Sequence, residues 1–141
     1  MAGTMTRRPV GVTVVAVLQM AATLIAFIVS FSLLVPGTVL DRTWGLNPQV
    51  HAAFADHAAQ VATILALVGL LSAIAAVGLL RGQIWAWLLS VALFGVNALG
   101  DVVSLAIARD WFQGLAGIVI DAAFLYQLLQ ANTRAFFLER R

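Results

Sequence analysis

Two carboxylates stand where carboxylates are expensive. Asp101 and Asp121 both lie inside long apolar runs, and an acidic side chain at membrane depth costs about 3 kcal/mol on insertion scales. Each has company at helical spacing. Ser90, Asn97, Asp101 and Ser104 follow one another at steps of 7, 4 and 3, which keeps them on one face of a helix. Gly114, Gly117 and Asp121 share a face in the same way, with Gln127 and Gln130 further along. A third polar set, Gln19, Thr23 and Ser30, occupies one face of the first apolar run. Asn97, Asp101, Ser104, Asp121, Gln19, Thr23 and Ser30 therefore form a candidate intramembrane polar site. Two carboxylates at matched depth are suited to sharing a proton or holding a cation. The plainer alternative is structural: a protonated Asp hydrogen-bonded to Ser or Asn across helices, or Arg109 reaching back to neutralise Asp101.

Other chemistry is poorly represented. The chain has no Cys, which removes thiolate metal sites and cysteine nucleophiles. His51 and His57 are six residues apart, about 120° away from a common helical face, which is wrong for a shared metal. No nucleophile elbow, zincin motif, phosphate-binding loop or dinucleotide fingerprint occurs. The expectation is a non-enzymatic protein with no cofactor and no metal.

The elements that must position these residues are transmembrane helices. Of the 141 residues, 62% are hydrophobic and 10% are charged, against about 25% charged in soluble domains. Mean hydropathy is +1.01. The partner this composition demands is the lipid bilayer. The net charge of +2 carries no basic stripe with interleaved aromatics, so nucleic acid is not expected.

The run 10–34 follows Pro9 and is stopped by Pro36-Gly37. It is longer than the roughly 7–15 apolar residues of a signal peptide, so it reads as a span that is retained. Asn47-Pro48 is a helix-start signal, and nothing breaks the pattern from Pro48 until Arg81-Gly82. One continuous helix is expected over 48–80, with an outer extension at 48–57 and a span at 58–80. Short turns at Arg81-Gly82-Gln83 and Arg109-Asp110 then separate spans at about 84–108 and 112–130, and residues 131–141 form an amphipathic tail. Connections this short make successive helices antiparallel neighbours. The fold class expected is an all-α membrane protein, a single antiparallel four-helix transmembrane bundle.

Arginine placement gives the orientation. With the N-terminus inside, Arg7, Arg8, Arg81, Arg134, Arg140 and Arg141 are cytoplasmic, and only Arg42 and Arg109 are outside. Trp85 and Trp87 then mark the inner interface, Trp44 and Trp111 the outer one. Both termini are expected in the cytoplasm.

Small residues form one further pattern. Ala55, Ala59, Ala62, Ala66, Gly69, Ala73 and Ala76 recur at alternating steps of four and three, a stripe that lets another helix approach closely in lipid. The seam serves packing within the chain or, alternatively, a homo-oligomer or larger membrane complex.

Three segments carry a resemblance: Arg8-Pro9-Val-Gly11-Val-Thr13, Gly78-Leu-Leu-Arg81-Gly82-Gln-Ile-Trp85-Ala-Trp87, and Tyr126-Gln-Leu-Leu followed by Arg134-Ala-Phe136-Phe137. In these the chain resembles small uncharacterised bacterial integral membrane proteins with four predicted transmembrane helices. The resemblance implies that topology and a bacterial cytoplasmic (inner) membrane, and it implies no activity. Two functional expectations remain: a helical scaffold or accessory subunit acting by packing, or a small transporter or channel subunit using Asp101 and Asp121.

Overall fold

The computed structural model describes residues 8–46, 48–108 and 111–138. Among them there is helix and no strand. The elements are α1 (Val10–Leu34), a 3-10 helix (Val39–Leu46), α2 (Pro48–Ala55), α3 (Ala58–Leu80), α4 (Ile84–Ala108), α5 (Trp111–Leu129) and α6 (Ala131–Leu138). Among the described residues, three helices are long and apolar enough to cross a membrane: Val10–Leu34, Ala58–Leu80 and Ile84–Val103. Gly114–Leu129 with Ala131–Leu138, bent by 54° at the break, makes a fourth if the pair is one span. The signals at Asn47 and Arg109-Asp110 lie outside the described residues, as do Arg7, Arg140, Arg141 and the side chains of Trp111 and Ser104.

The helix expected without interruption over 48–80 is in fact two. A turn at Asp56-His57 separates α2 from α3. The His57 N–H donates to the Phe54 carbonyl at 3.1 Å, and the His57 carbonyl receives the Val61 N–H at 2.9 Å as α3 begins. Asp is a weak helix-interior residue because its side chain competes for backbone groups. The ring of His51 on α2 also stacks on Trp44 of the 3-10 helix, with centroids 4.8 Å apart, which holds α2 to the preceding segment. The stretch between Pro36-Gly37 and Asn47 contains that 3-10 helix. Its entry is fixed by Gly37, at a φ of 89°, whose N–H donates to the Asp41 carboxylate.

The chain forms two compact units. One spans Gln19–Ala73 and the other combines the chain up to Leu18 with Ile74 onward. In the Gln19–Ala73 unit, α1 and α3 meet along the small-residue seam. The Ser30 hydroxyl donates to the Ala62 carbonyl at 2.7 Å. The Thr23 hydroxyl has the carbonyls of Gln19 at 3.0 Å and Gly69 at 3.2 Å within reach. A Cβ on Gly69 would sit 3.3 Å from the Ala26 methyl group. The contacts 30 to 62 and 23 to 69 advance by seven residues on each helix in opposite directions, the repeat of two antiparallel helices in close contact. Ala62 and Gly69 are buried, Ala66 and Ala73 half-buried, and Ala55 and Ala59 exposed.

In the other unit, Val12, Val15 and Ala16 of α1, Ala76 and Leu79 of α3, Trp87 of α4, Leu128 of α5 and Phe136 and Phe137 of α6 build one core. The turn from α3 to α4 is closed by a glycine. Gly82, at a φ of 70°, lets Gln83 donate to the Gly78 carbonyl and Gly82 to the Leu79 carbonyl, both at 3.0 Å. This double closure satisfies the last carbonyls of α3. The Gly78–Gly82 pair is thus turn chemistry. Gly78 also lies directly against the Ala86 methyl group, where any side chain would collide. The Trp87 indole N–H donates to the Leu128 carbonyl at 2.8 Å. That carbonyl is free because α5 stops at Leu129 and α6 turns away, carrying Phe137 onto the Trp87 ring at 6.2 Å.

Candidate functional site

The carboxylates sit where α5 packs along α4, and the register of that pair decides what each one meets. Phe94 faces Phe124, with ring centroids 4.8 Å apart. Asn97 faces Asp121, and its amide donates to the Asp121 carboxylate at 2.7 Å. Asp101 faces Gly117, whose missing side chain leaves the space that the Asp101 carboxylate fills. Leu105 faces Gly114 in the same way, its Cβ only 3.1 Å from where a Gly114 Cβ would be. Successive pairs step by three, four and four residues along α4 and by three, four and three back along α5, so a stripe of Phe94, Asn97, Asp101 and Leu105 on α4 meets Phe124, Asp121 and two glycines on α5.

The two acids end up in different surroundings. Asp121 is 3% exposed and has the Asn97 amide as donor. Asp101, one helical turn further along α4 than Asn97, is half-buried. Its Oδ2 is buried and, among the described residues, has no hydrogen-bond partner. A carboxylate offers about four acceptor positions, so this pair retains unused acceptor capacity beside one donor. That is what a proton or a small cation needs. It is also what a donor from a neighbouring helix would satisfy.

The structure draws the candidate residues into two groups. Asn97, Asp101 and Asp121 come together on α4 and α5. Thr23 and Ser30 direct their hydroxyls to the α3 backbone carbonyls of the seam, a packing role, and Gln19 is buried near Thr23 on the same helix. Arg109, considered as a neutralising partner of Asp101, lies outside the described residues, as does the Ser104 side chain. The part played by Gly117 was not singled out in the sequence beyond sharing a face with Asp121. The signal was present in the equal four-residue spacings 97 to 101 and 117 to 121, which antiparallel packing superimposes. Ser32, which accepts the Trp44 indole N–H at 3.1 Å, was also missed; it ties the 3-10 helix to α1.

Among the described residues, no group of three or more His, Cys, Asp or Glu gathers to hold a metal ion. His51 stacks on Trp44, and both His51 and His57 are exposed. One face of α4 is left open: Ala92, Val96, Leu99, Gly100 and Val103 are all exposed, and Asn97, at its edge, is exposed as well. A Cβ added at Gly100 would have no atom within 4 Å. Compared with known proteins, the chain matches no family model, no curated protein and no solved structure.

Proposed function

We propose that the protein is a non-enzymatic multi-pass membrane protein, a helical scaffold or accessory subunit that associates with a second copy or with a membrane partner through the open face of α4. The observation that carries this reading is the state of Asn97 and Gly100. Gly100 is bare and exposed in the middle of a membrane-length apolar helix, and Asn97, whose amide nitrogen donates to Asp121, is an exposed residue one turn away. In lipid, close helix approach at small residues and polar groups near the contact are the main sources of association. The test is Gly100→Leu. A Cβ at this position has no atom within 4 Å, so folding and thermal stability should be unchanged while co-purification of a partner or dimer in mild detergent is lost. Unchanged association would end this reading.

The topology that goes with it is an antiparallel four-helix bundle in a bacterial inner membrane with both termini cytoplasmic. It is supported by arginine placement and by the apolar helices. Tags at either terminus should be accessible only from the cytoplasm, and a probe in the 38–46 segment only from outside.

A second reading, a small transporter or channel subunit with Asp101 and Asp121 as a proton or cation site, is favoured by one specific observation, the buried and unpartnered Asp101 Oδ2. Its test is Asp121→Asn, which keeps the shape of the site. A well-folded variant with unchanged ion or proton flux in proteoliposomes would remove it.

A further inference from the structure

A cleft of about 520 Å³ opens on the unit that contains the start of α1 and all of α5. It is walled by Val10, Val14, Ala123 and Phe124, with Tyr126 and Gln127 also lining it. Its volume falls in the range of small-molecule sites, about 300–1,000 Å³. The cleft has a built floor. Gly11 allows the Gln127 amide to come within 2.6 Å of where a Cβ would stand, so α1 and α5 touch there and leave a groove beside the contact. Val10, Val14 and Tyr126 line this groove yet remain exposed.

The end of the unit at which the groove opens is basic. Arg8 lies two residues before the groove, Arg81 caps the α3–α4 turn, and Arg134 lies on α6. The shared core of Val12, Leu79, Trp87, Leu128, Phe136 and Phe137 gathers these segments at one end. All three arginines are exposed. The described acids are Asp41 and Asp56 in the other unit and Asp101 and Asp121, the latter seven residues (about 10 Å) from Leu128 along α5. Tyr126 and Trp85 are exposed at the same end, the residues favoured at headgroup depth.

We propose that this groove holds an acyl chain of an anionic phospholipid, whose phosphate is bound by Arg8 and Arg134. Charge complementarity selects the anionic headgroup. The apolar walls select a chain over a free phosphate. The site does not rest on association through α4 and stands or falls separately.

The experiment uses the full chain, purified in mild detergent and offered an equimolar mixture of phosphatidylglycerol and phosphatidylcholine, with bound lipid read by native mass spectrometry. The expected result is retention of one phosphatidylglycerol in preference to phosphatidylcholine. Arg8→Gln and Arg134→Gln should each lower that preference about fivefold, in line with the usual worth of one basic residue at an anionic surface. Ala123→Phe, which fills the groove, should reduce retention of both lipids. Equal retention of the two lipids by the unaltered protein overturns the proposal without recourse to any variant. Selective retention that survives both arginine substitutions, or survives Ala123→Phe, overturns the assignment to this groove.

Discussion

The seam in the Gln19–Ala73 unit and the α4–α5 pair in the other unit use the same device and leave it in different states. Both set polar side chains of one helix against small residues of the next. In the seam, the hydroxyls of Thr23 and Ser30 end on backbone carbonyls of α3 or of their own helix. Those carbonyls already belong to helical ladders, so losing the hydroxyl strands nothing. Between α4 and α5 the polar groups meet each other. Asn97 satisfies one carboxylate, and a second carboxylate keeps a buried oxygen with no partner. A polar contact that ends on spare backbone capacity acts as glue. A polar contact between side chains whose demands do not balance leaves capacity for something else.

Substitutions at the two contacts should separate these states. The largest effect is expected at Gly69→Leu. The new side chain has to displace α1 at Ala26, and overpacking of this kind costs about 2–3 kcal/mol, read as a lowered unfolding midpoint in detergent. Next comes Asn97→Ala, which removes the amide that donates to the buried Asp121. Leaving a buried acceptor unsatisfied costs about 1–2 kcal/mol, and Asn97→Gln should recover part of it. Thr23→Val and Ser30→Ala should each lose only about 0.6 kcal/mol, the usual worth of an interhelical hydrogen bond in a membrane protein. A loss at Thr23 as large as at Asn97 would erase the distinction between the two regions. Smallest of all is Val68→Leu, beside the seam but exposed, expected to stay within about 0.5 kcal/mol. Equal tolerance at Gly69 and Val68 would show that the small-residue stripe is composition and not packing.

The all-helical class and the long apolar helices were legible in the sequence because composition and stop signals are local. Pro36-Gly37 follows α1, and Gly82 supplies the positive φ that ends α3. The break at Asp56-His57 was not legible, because no proline or glycine marks it and His51 meets Trp44 only in the folded chain. The site was legible in part. Helical spacing put Asn97 on the face of Asp101 and Gly117 on the face of Asp121, but the register between the helices decides that Asn97 binds the acid of the other helix. Register is set by non-local packing, here Phe94 on Phe124 and Leu105 on Gly114. The turn of α6 back onto Trp87 was hidden for the same reason: 131–138 reads as a tail until Phe136 and Phe137 are given something to cover.

The proposed association through α4 can be measured directly because the chain contains no Cys. Single cysteines placed one at a time from position 92 to 103 and oxidised in intact membranes report which face of α4 meets a neighbour. Disulfide-linked dimers should peak at Val96→Cys, Gly100→Cys and Val103→Cys, the exposed helical stripe. They should fall to background at Phe94→Cys and Asp101→Cys, which face α5. A flat profile across all positions, together with a monomer that brings no partner through purification, would contradict a scaffold that works through this face.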